Sequence, residues 1–412
     1  MRTQTTHLNS GQPLREPSPA LVTQTHDGGP GRLTEREALE LYSSCSIHDL
    51  GTRAFDVSTR LNPQPWRTYV VDRNINYANW CTAKCIFCNF KADPPGMNSG
   101  RSDLPVGYTL TYEQIGRKIE ELIAIGGTQI LMQGGLVPGD GDAGLPFEWY
   151  LDLMRFIRRE YPGIHVHAFS PPEIFAFHRV FNMPIRDVLL RLQEAGLHSV
   201  PGGGGEILSD RVRERIGRGK TLSAEWLEVM RQAHAIGMVT SCTMMFGHIE
   251  TIAERIEHLR LLRELQDESL SRGNGGGFSA FICWTFQPGD TPLGRLRPMP
   301  LDGPTTPDGR PLNDGRHLLL ADASEYLRML ALSRLYLDNI PHIQSSWVTM
   351  GPKIGQLALF FGADDMGSVM MEENVVSAAG TTFCLNEPEI RRLIADAGWQ
   401  PRKRNFYYQP ID

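Results

Sequence analysis

From residue 66 onward, short β-rich runs alternate with longer stretches in which apolar residues recur every three or four positions. The runs are TYVVDRNINY, TQILMQ, IHVHAF, LHSVPG, MVTSCTMMF, FSAFICWTF, HIQSSWV and SVMM. Between them lie amphipathic segments such as YEQIGRKIEELIAIG, FEWYLDLMRFIRREY, AEWLEVMRQAHAIG and AERIEHLRLLRELQDE. Strands separated by helices of this length need crossover connections and pair in parallel. Eight strand candidates in this alternation predict an α/β fold, a (β/α)8 TIM-type barrel in one domain, with a partial barrel of six units as the alternative. Gly126, Gly196 and Gly237 each follow a helical stretch, where a left-handed C-cap is expected.

The chain before the first strand reads differently. Residues 1–33 are rich in Thr, Pro, Gly and Ser and predict a disordered tail. Residues 34–65 predict a short helical preamble, with Leu39, Leu41, Tyr42 and Leu50 at helical spacing and Thr34 and Glu37 as a capping box. The barrel and a C-terminal extension then take residues 66–412. Segments 91–108, 137–146 and 288–315 read as loop insertions. The last exceeds the ~12–15 residues of an ordinary structureless loop, which predicts a lid or a mobile segment.

Composition narrows the class. The chain has 412 residues, 41% of them hydrophobic, enough for a substantial core. Its formal charge of −6, from 41 basic and 47 acidic residues without long runs of either sign, gives no support to nucleic acid or anionic membrane partners. No apolar stretch approaches the ~18–20 residues of a membrane span, so no membrane insertion is expected. The N-terminal residues lack the apolar segment of a secretory signal. Seven cysteines, an odd number with three of them clustered at one site, suit a reducing cytoplasm better than a disulfide framework.

That cluster is the strongest chemical signal. Cys81, Cys85 and Cys88 lie in NINYANWCTAKCIFCNF with C-x3-C-x2-C spacing. Three such thiolates can bind three irons of a [4Fe–4S] cluster and leave the fourth iron open. A zinc site would want a fourth Cys or His nearby, and chance cysteines of a buried core are the plainest alternative. In a barrel, chemistry gathers at the C-terminal ends of the strands. Gln133-Gly134-Gly135 follows the second strand, where two glycines allow close backbone approach to a ligand or simply make a tight turn. Period-2 alternation puts His165, His167 and Phe169 on one face of the third strand, with Ser170 and Glu173 at its exit. The histidines could orient a polar substrate or move a proton, or be satisfied core residues. Four glycines, 202–205, precede Glu206 after the fourth strand. Gly247, His248 and Glu250 follow the fifth, Trp284 and Phe286 share a face of the sixth, and Glu372, Glu373 and Asn374 follow the last.

The run C-x3-C-x-aromatic-C, with Phe87 before the last cysteine, resembles the signature of radical S-adenosylmethionine (SAM) enzymes. The likeness continues through NINYANWC, GGTQILMQGGL, IHVHAFSPPEI, PGGGGEIL, EWLEVMRQAH, TMMFGHIET, FQPGDTPL and GADDMGSVMMEENVVSAAG. Together these are similar to the enzymes of futalosine-dependent menaquinone biosynthesis and deazaflavin synthesis, and most of all to the cyclic dehypoxanthinyl futalosine synthases. The chain departs from them at Trp80 and Asn79–Ala83, in the CNFKADPPGMNSG insertion and at the doubled Asp364-Asp365.

The resemblance implies a [4Fe–4S] cluster on Cys81, Cys85 and Cys88, and SAM as second cofactor, split to a 5′-deoxyadenosyl radical. It implies that Phe87, Phe90, Gln133, Gly134, Gly135, Ser170 and Glu206 border the cofactor, with Gln133-Gly134-Gly135 at the methionyl amino group. The implied reaction takes the ribose C4′ hydrogen of the nucleoside-like substrate dehypoxanthine futalosine and closes C4′ onto its benzoate ring. Loss of one electron and one proton completes it, with His167 and Glu206 as candidate bases. A low-potential donor such as ferredoxin or flavodoxin is the implied redox partner. Aminofutalosine synthase, a deazaflavin synthase subunit, a non-catalytic Fe–S electron carrier and a zinc-stabilised (β/α)8 hydrolase are the competing readings.

Overall fold

The first barrel strand is broken at Val71 into β1 (Trp66–Val70) and β2 (Asp72–Ile75), and this break sets the architecture. In this computed structural model, residues 31–93, 106–139 and 144–412 are described. Nearly all of the expected tail, and parts of the insertions at 91–108 and 137–146, lie outside the described residues. The remaining strands are β3 (Lys84–Cys85), β4 (Gln129–Met132), β5 (His165–Ala168), β6 (Gly217–Arg218), β7 (Val239–Phe246), β8 (Gly277–Thr285), β9 (His342–Gln344), β10 (Asp365–Ser368) and β11 (Gln400–Lys403). The helices are α1 (Glu35–Ser44), α2 (Ile47–Leu61), α3 (Tyr112–Ala124), α4 (Phe147–Glu160), α5 (Pro171–Val180), α6 (Ile185–Ala195), α7 (Asp210–Ile216), α8 (Ser223–Ala235), α9 (Ile252–Ser271), α10 (Ala323–Tyr336), α11 (Trp347–Met350), α12 (Pro352–Ala358) and α13 (Glu387–Asp396).

The staves pair in parallel around a ring. β2 pairs with β4, and β4 with β5. Bridges His167–Ser199 and Val200–Thr240 carry the ring through residues 199–200 to β7. From there it runs through β8, β9 and β10 back to β1. The result is a (β/α)8 barrel. β7 (VTSCTMMF) and β8 (GFSAFICWT) are buried along almost their whole length, as parallel strands covered on both faces must be.

Local chemistry marks the helix ends. Thr34 and Glu37 form the expected capping box on α1, and Thr111 with Gln114 and Thr251 with Glu254 do the same on α3 and α9. Gly126 and Gly237 take φ of 79° after α3 and α8, a conformation that costs glycine nothing. Leu50 and Ala54 of α2 pack on Ala331 of α10, which seats the N-terminal helices on the outside of the barrel.

Three expectations need correction. The LHSVPG stave is reduced to two bridging residues, because Pro201 lacks an N–H and a run of glycines follows. HIQSSWV stops at Gln344, since Ser346 caps the turn into α11. The last stave is Asp365–Ser368 rather than SVMM, and Met370 turns away with φ of 53°. The 288–315 segment is tied down at both ends. Buried Leu293 donates its N–H to the Ile86 carbonyl at 2.8 Å, and Arg310 reaches the Tyr42 carbonyl at 2.8 Å.

The C-terminal extension does something the sequence did not announce. β11 lies parallel to β1, from Trp66–Gln400 to Tyr69–Lys403. Beyond it the chain turns under the N-terminal ends of the strands. Arg404 forks onto Asp365, with Nε at 2.5 Å from Oδ2 and Nη2 at 3.0 Å from Oδ1, and both residues are buried. Thr68 Oγ1 also donates to Asp365, at 2.6 Å. Phe406 stacks on His165 at 4.2 Å between centroids, and Tyr408 on His342 at 3.9 Å. These residues floor the barrel. Arg404→Ala would strand the Asp365 carboxylate without its cation, and we expect a loss of about 3–5 kcal/mol in denaturant unfolding. A change under 1 kcal/mol would contradict that account.

Candidate active site

The cysteine loop leaves the top of β2 and is pinned from three sides. Cys85 lies in β3, which pairs antiparallel with β6 through Cys85–Gly217. The Cys81 sulfur accepts the Leu136 N–H at 3.2 Å, and Ile86 N–H donates to the Ile216 carbonyl at 2.9 Å. Gly135 makes this fit possible: a Cβ there would overlap the carbonyl oxygen of Trp80, the residue before Cys81. Gly134 lies against the Tyr77 ring in the same way. Phe87 lies beneath Lys220 Nζ, 5.3 Å from the ring centroid, and Phe90 meets Tyr108 edge-on at 6.4 Å.

The three thiols are free and half-buried. Burial pushes Cys85 up to about 12 and raises Cys88, and charge on the neighbouring cysteines adds to both. The sulfurs are therefore electrostatic neighbours. Among the described residues no three His, Cys, Asp or Glu side chains are placed to share a single metal ion. This donor set fits an iron–sulfur cluster, which takes thiolates at separate irons and stabilises their charged form.

Glu173 is the knot that holds the adjoining loops. Its carboxylate accepts Tyr77 OH at 2.6 Å, Gly134 N–H at 3.1 Å, and the Ser170 N–H and hydroxyl at 2.8 and 2.6 Å. Ser170 and Glu173 thus bind one another at the start of α5, and Ser170 is left with little of its hydroxyl to offer a ligand. Phe169 leaves the inner face expected for it. With φ of 58° it turns into a cluster with Tyr77, Tyr150 and Phe177.

Inside the barrel lies a chamber of about 290 Å³, reaching from Gln133 and Gly202–Gly204 near the top to Arg404, Phe406 and Tyr408 at the floor. His167 and Glu206 both line it. His167 Nδ1 sits 2.7 Å from Ser199 Oγ and Nε2 3.3 Å from Ser241 Oγ, and burial lowers its pKa to about 3. Its ring is neutral throughout the physiological range. His165, expected on the same wall, is instead bonded to Ser199 at 2.8 Å and stacked on the floor. Glu206 takes Lys220 at 2.7 Å and lies 3.7 Å from Arg213. Burial works against charge on Lys220, but Glu206 outweighs it and keeps the ammonium protonated.

The other predicted groups divide. Trp284 and Glu373 line the chamber, whereas Phe286 is buried against His248. Glu372 is an ion-pair partner of Arg73 and Lys118. Glu250 takes the Gly247 and His248 N–H groups and Arg255, so it braces its own loop. Sequence reasoning missed Asp72, Asn74 and Gln129, which line the chamber along β2 and β4. Their signal was available: in VVDRNI the inward parity that holds Val70 also holds Asp72 and Asn74, polar residues where a barrel wall has no need of them. Arg404, Phe406 and Tyr408 carried no such signal.

Comparison with known proteins now bears on this geometry. Residues 75–262 match the radical SAM superfamily, and residues 315–412 match the CofH/MqnC C-terminal region. The chain is 40% identical over 380 residues to the cyclic dehypoxanthine futalosine synthase of Halalkalibacterium halodurans, covering 92% of each chain. The chain belongs to the radical SAM superfamily. The Streptomyces coelicolor cyclic dehypoxanthine futalosine synthase is 38% identical over 92% of this radical SAM chain and 86% of its own. A Methanosarcina mazei protein named 5-amino-6-(D-ribitylamino)uracil–L-tyrosine 4-hydroxyphenyl transferase is 36% identical over 83% of this chain and 81% of its own. In fold, methylornithine synthase (PylB) superposes with a TM-score of 0.58 at 17% identity, covering 90% of this chain and 95% of that one. The hydrogenase maturase HydG from Carboxydothermus hydrogenoformans superposes with a TM-score of 0.62 at 15% identity, covering 92% and 77%. As a radical SAM enzyme, the protein uses a [4Fe–4S] cluster and SAM. Among the described residues no helix is long and apolar enough to cross a membrane. Gly135→Ala should push Trp80 and with it Cys81 out of place. Iron and sulfide retained after reconstitution should fall to a small fraction of wild type, whereas a full complement would show that the loop tolerates the Cβ.

Proposed function

We propose that this radical SAM enzyme cyclises dehypoxanthine futalosine in menaquinone biosynthesis. The ribose C4′ hydrogen is removed, C4′ is joined to the benzoate ring, and one electron and one proton leave to restore aromaticity. The observation that carries the reading is similarity at 40% identity over 92% of each chain, through the C-terminal region that floors the chamber, to a protein of that name. Cluster and SAM together supply a 5′-deoxyadenosyl radical able to take hydrogen from an unactivated carbon.

The chain's own residues have separable tasks in this reading. Cys81, Cys85 and Cys88 hold the cluster. Gln133, Gly134 and Gly135, with Phe87 and Phe90, border the SAM position, and Ser170 acts on it through Glu173, which holds Gly134. His167 and Glu206 were the candidate bases. His167 binds its proton too weakly to be a strong one, and Glu206 has a lysine and an arginine beside it. We assign both to hydrogen bonding and positioning at the chamber wall. We place the enzyme in the cytoplasm, with a low-potential donor of the ferredoxin or flavodoxin type. The 36% identity to the Methanosarcina mazei transferase favours one second reading, transfer onto a ribitylated uracil.

Anaerobically reconstituted protein should convert dehypoxanthine futalosine with SAM and reductant, yielding 5′-deoxyadenosine and cyclised product together. The Cys85→Ala variant should yield neither. Deoxyadenosine without cyclised product would contradict the substrate assignment, and product from 5-amino-6-(D-ribitylamino)uracil and tyrosine would replace it with the second reading.

A further inference from the structure

The β2–β4 wall of the chamber has a one-sided chemistry. Gln129 Nε2 donates to Asp72 Oδ2 at 3.0 Å, and Asn74 Nδ2 donates to Glu373 Oε2 at 3.1 Å. Each carboxyl oxygen accepts from the facing amide, so each amide turns its NH2 toward it and its carbonyl oxygen away. Both carbonyl oxygens, Gln129 Oε1 and Asn74 Oδ1, are buried and have no hydrogen-bond partner. The two side chains are 5% and 6% exposed and line the chamber. Buried acceptors without donors are uncommon in folded proteins, and each asks what normally satisfies it.

Asp72 adds a third acceptor. It is held by the Ser368 hydroxyl and the Gln129 amide, with no cation in direct contact. Asp72 faces Gln129 in register, and Asn74 stands two residues further along β2, about 7 Å away. The only Lys or Arg among the described lining residues is Arg404, and its fork is on Asp365. The β2–β4 wall therefore offers acceptors and no free cation. It suits hydroxyl donors and disfavours a carboxylate.

We propose that Asp72, Asn74 and Gln129 form a subsite for the hydroxyl groups of a pentose. A bound pentose supplies the donors that the two orphaned carbonyls lack. The proposal deepens the functional reading above, and rests on it only for the identity of the pentose-bearing ligand. Dehypoxanthine futalosine would enter with its sugar hydroxyls toward the β2–β4 wall and its carboxylate directed away from Asp72. A ribityl chain would use the same wall.

Anaerobic calorimetry on the reconstituted holoenzyme tests this with dehypoxanthine futalosine, its 2′-deoxy and 3′-deoxy analogues, and 5-amino-6-(D-ribitylamino)uracil. At least one deoxy analogue should bind wild type about tenfold more weakly than the parent. Asn74→Leu or Gln129→Met should weaken the parent similarly, and in the variant lacking its acceptor that analogue should lose nothing further. The analogues probe wild-type protein, so the test survives a variant that does not fold. Equal binding of parent and both analogues to wild type would overturn the subsite while leaving the substrate assignment standing. Variant-sensitive binding of the ribitylated uracil alone would keep the subsite and remove the futalosine reading. Binding of neither ligand would overturn both.

Discussion

The buried fork between Arg404 and Asp365 decides where this barrel ends. A parallel barrel of this size fills its interior with side chains, yet here the inner face of β2 and β4 is polar and a chamber remains. Such a chamber can persist only if the N-terminal end of the barrel is sealed. The C-terminal segment seals it, held by a guanidinium whose burial is offset by a two-pronged carboxylate partner, and by the stacking of Phe406 and Tyr408 on histidines at the first positions of β5 and β9. Asp365 belongs to the last stave and Arg404 to the extension. One interaction thus couples closure of the ring to closure of its floor.

At the opposite end the constraint is steric. The loop after β4 must pass so close to the cysteine loop that Gly134 and Gly135 have no room for side chains, and Glu173 ties that loop to Tyr77 and to the start of α5. The two ends are linked by β2, which carries Asp72 and Asn74 inside the barrel and then runs directly into the cysteines. A substrate lying along β2 would keep its pentose hydroxyls on the acceptor wall while the pentose C4′ hydrogen faces the cysteine loop. Sealing below and open coordination above are the two requirements of a radical enzyme: water and stray reductants stay out, and the small-molecule cofactor enters from one side.

Much of this was readable in advance, because local physics governs it. Alternating apolar periods located most of the staves, since each strand and helix buries its own face, but overran the LHSVPG and HIQSSWV runs and misplaced the last stave. Cysteine spacing pointed to an iron–sulfur cluster, the cofactor that the family match supports, since three ligands on one tight segment have few other uses. The readings that failed depended on distant partners. QPRK has no strand-like alternation, and β11 forms only because β1 offers it a free edge beside Pro65 and Tyr69. Phe169 kept the parity of an inner-wall residue but lost its place when the chain turned left-handed at the strand's end. The 288–315 segment, rich in Pro and Gly, is fixed by backbone bonds to Ile86 and by Arg310, contacts invisible to composition.

In the proposed reaction the substrate lies inside the barrel, between the cysteine loop and the floor made by the C-terminal segment. An anaerobic crystal structure of the reconstituted enzyme with SAM and dehypoxanthine futalosine tests it most directly. The account predicts the cluster on Cys81, Cys85 and Cys88, and the pentose hydroxyls on Asp72, Asn74 and Gln129 above Phe406 and Tyr408. A substrate bound outside the chamber, or with its carboxylate against Asp72, would contradict it.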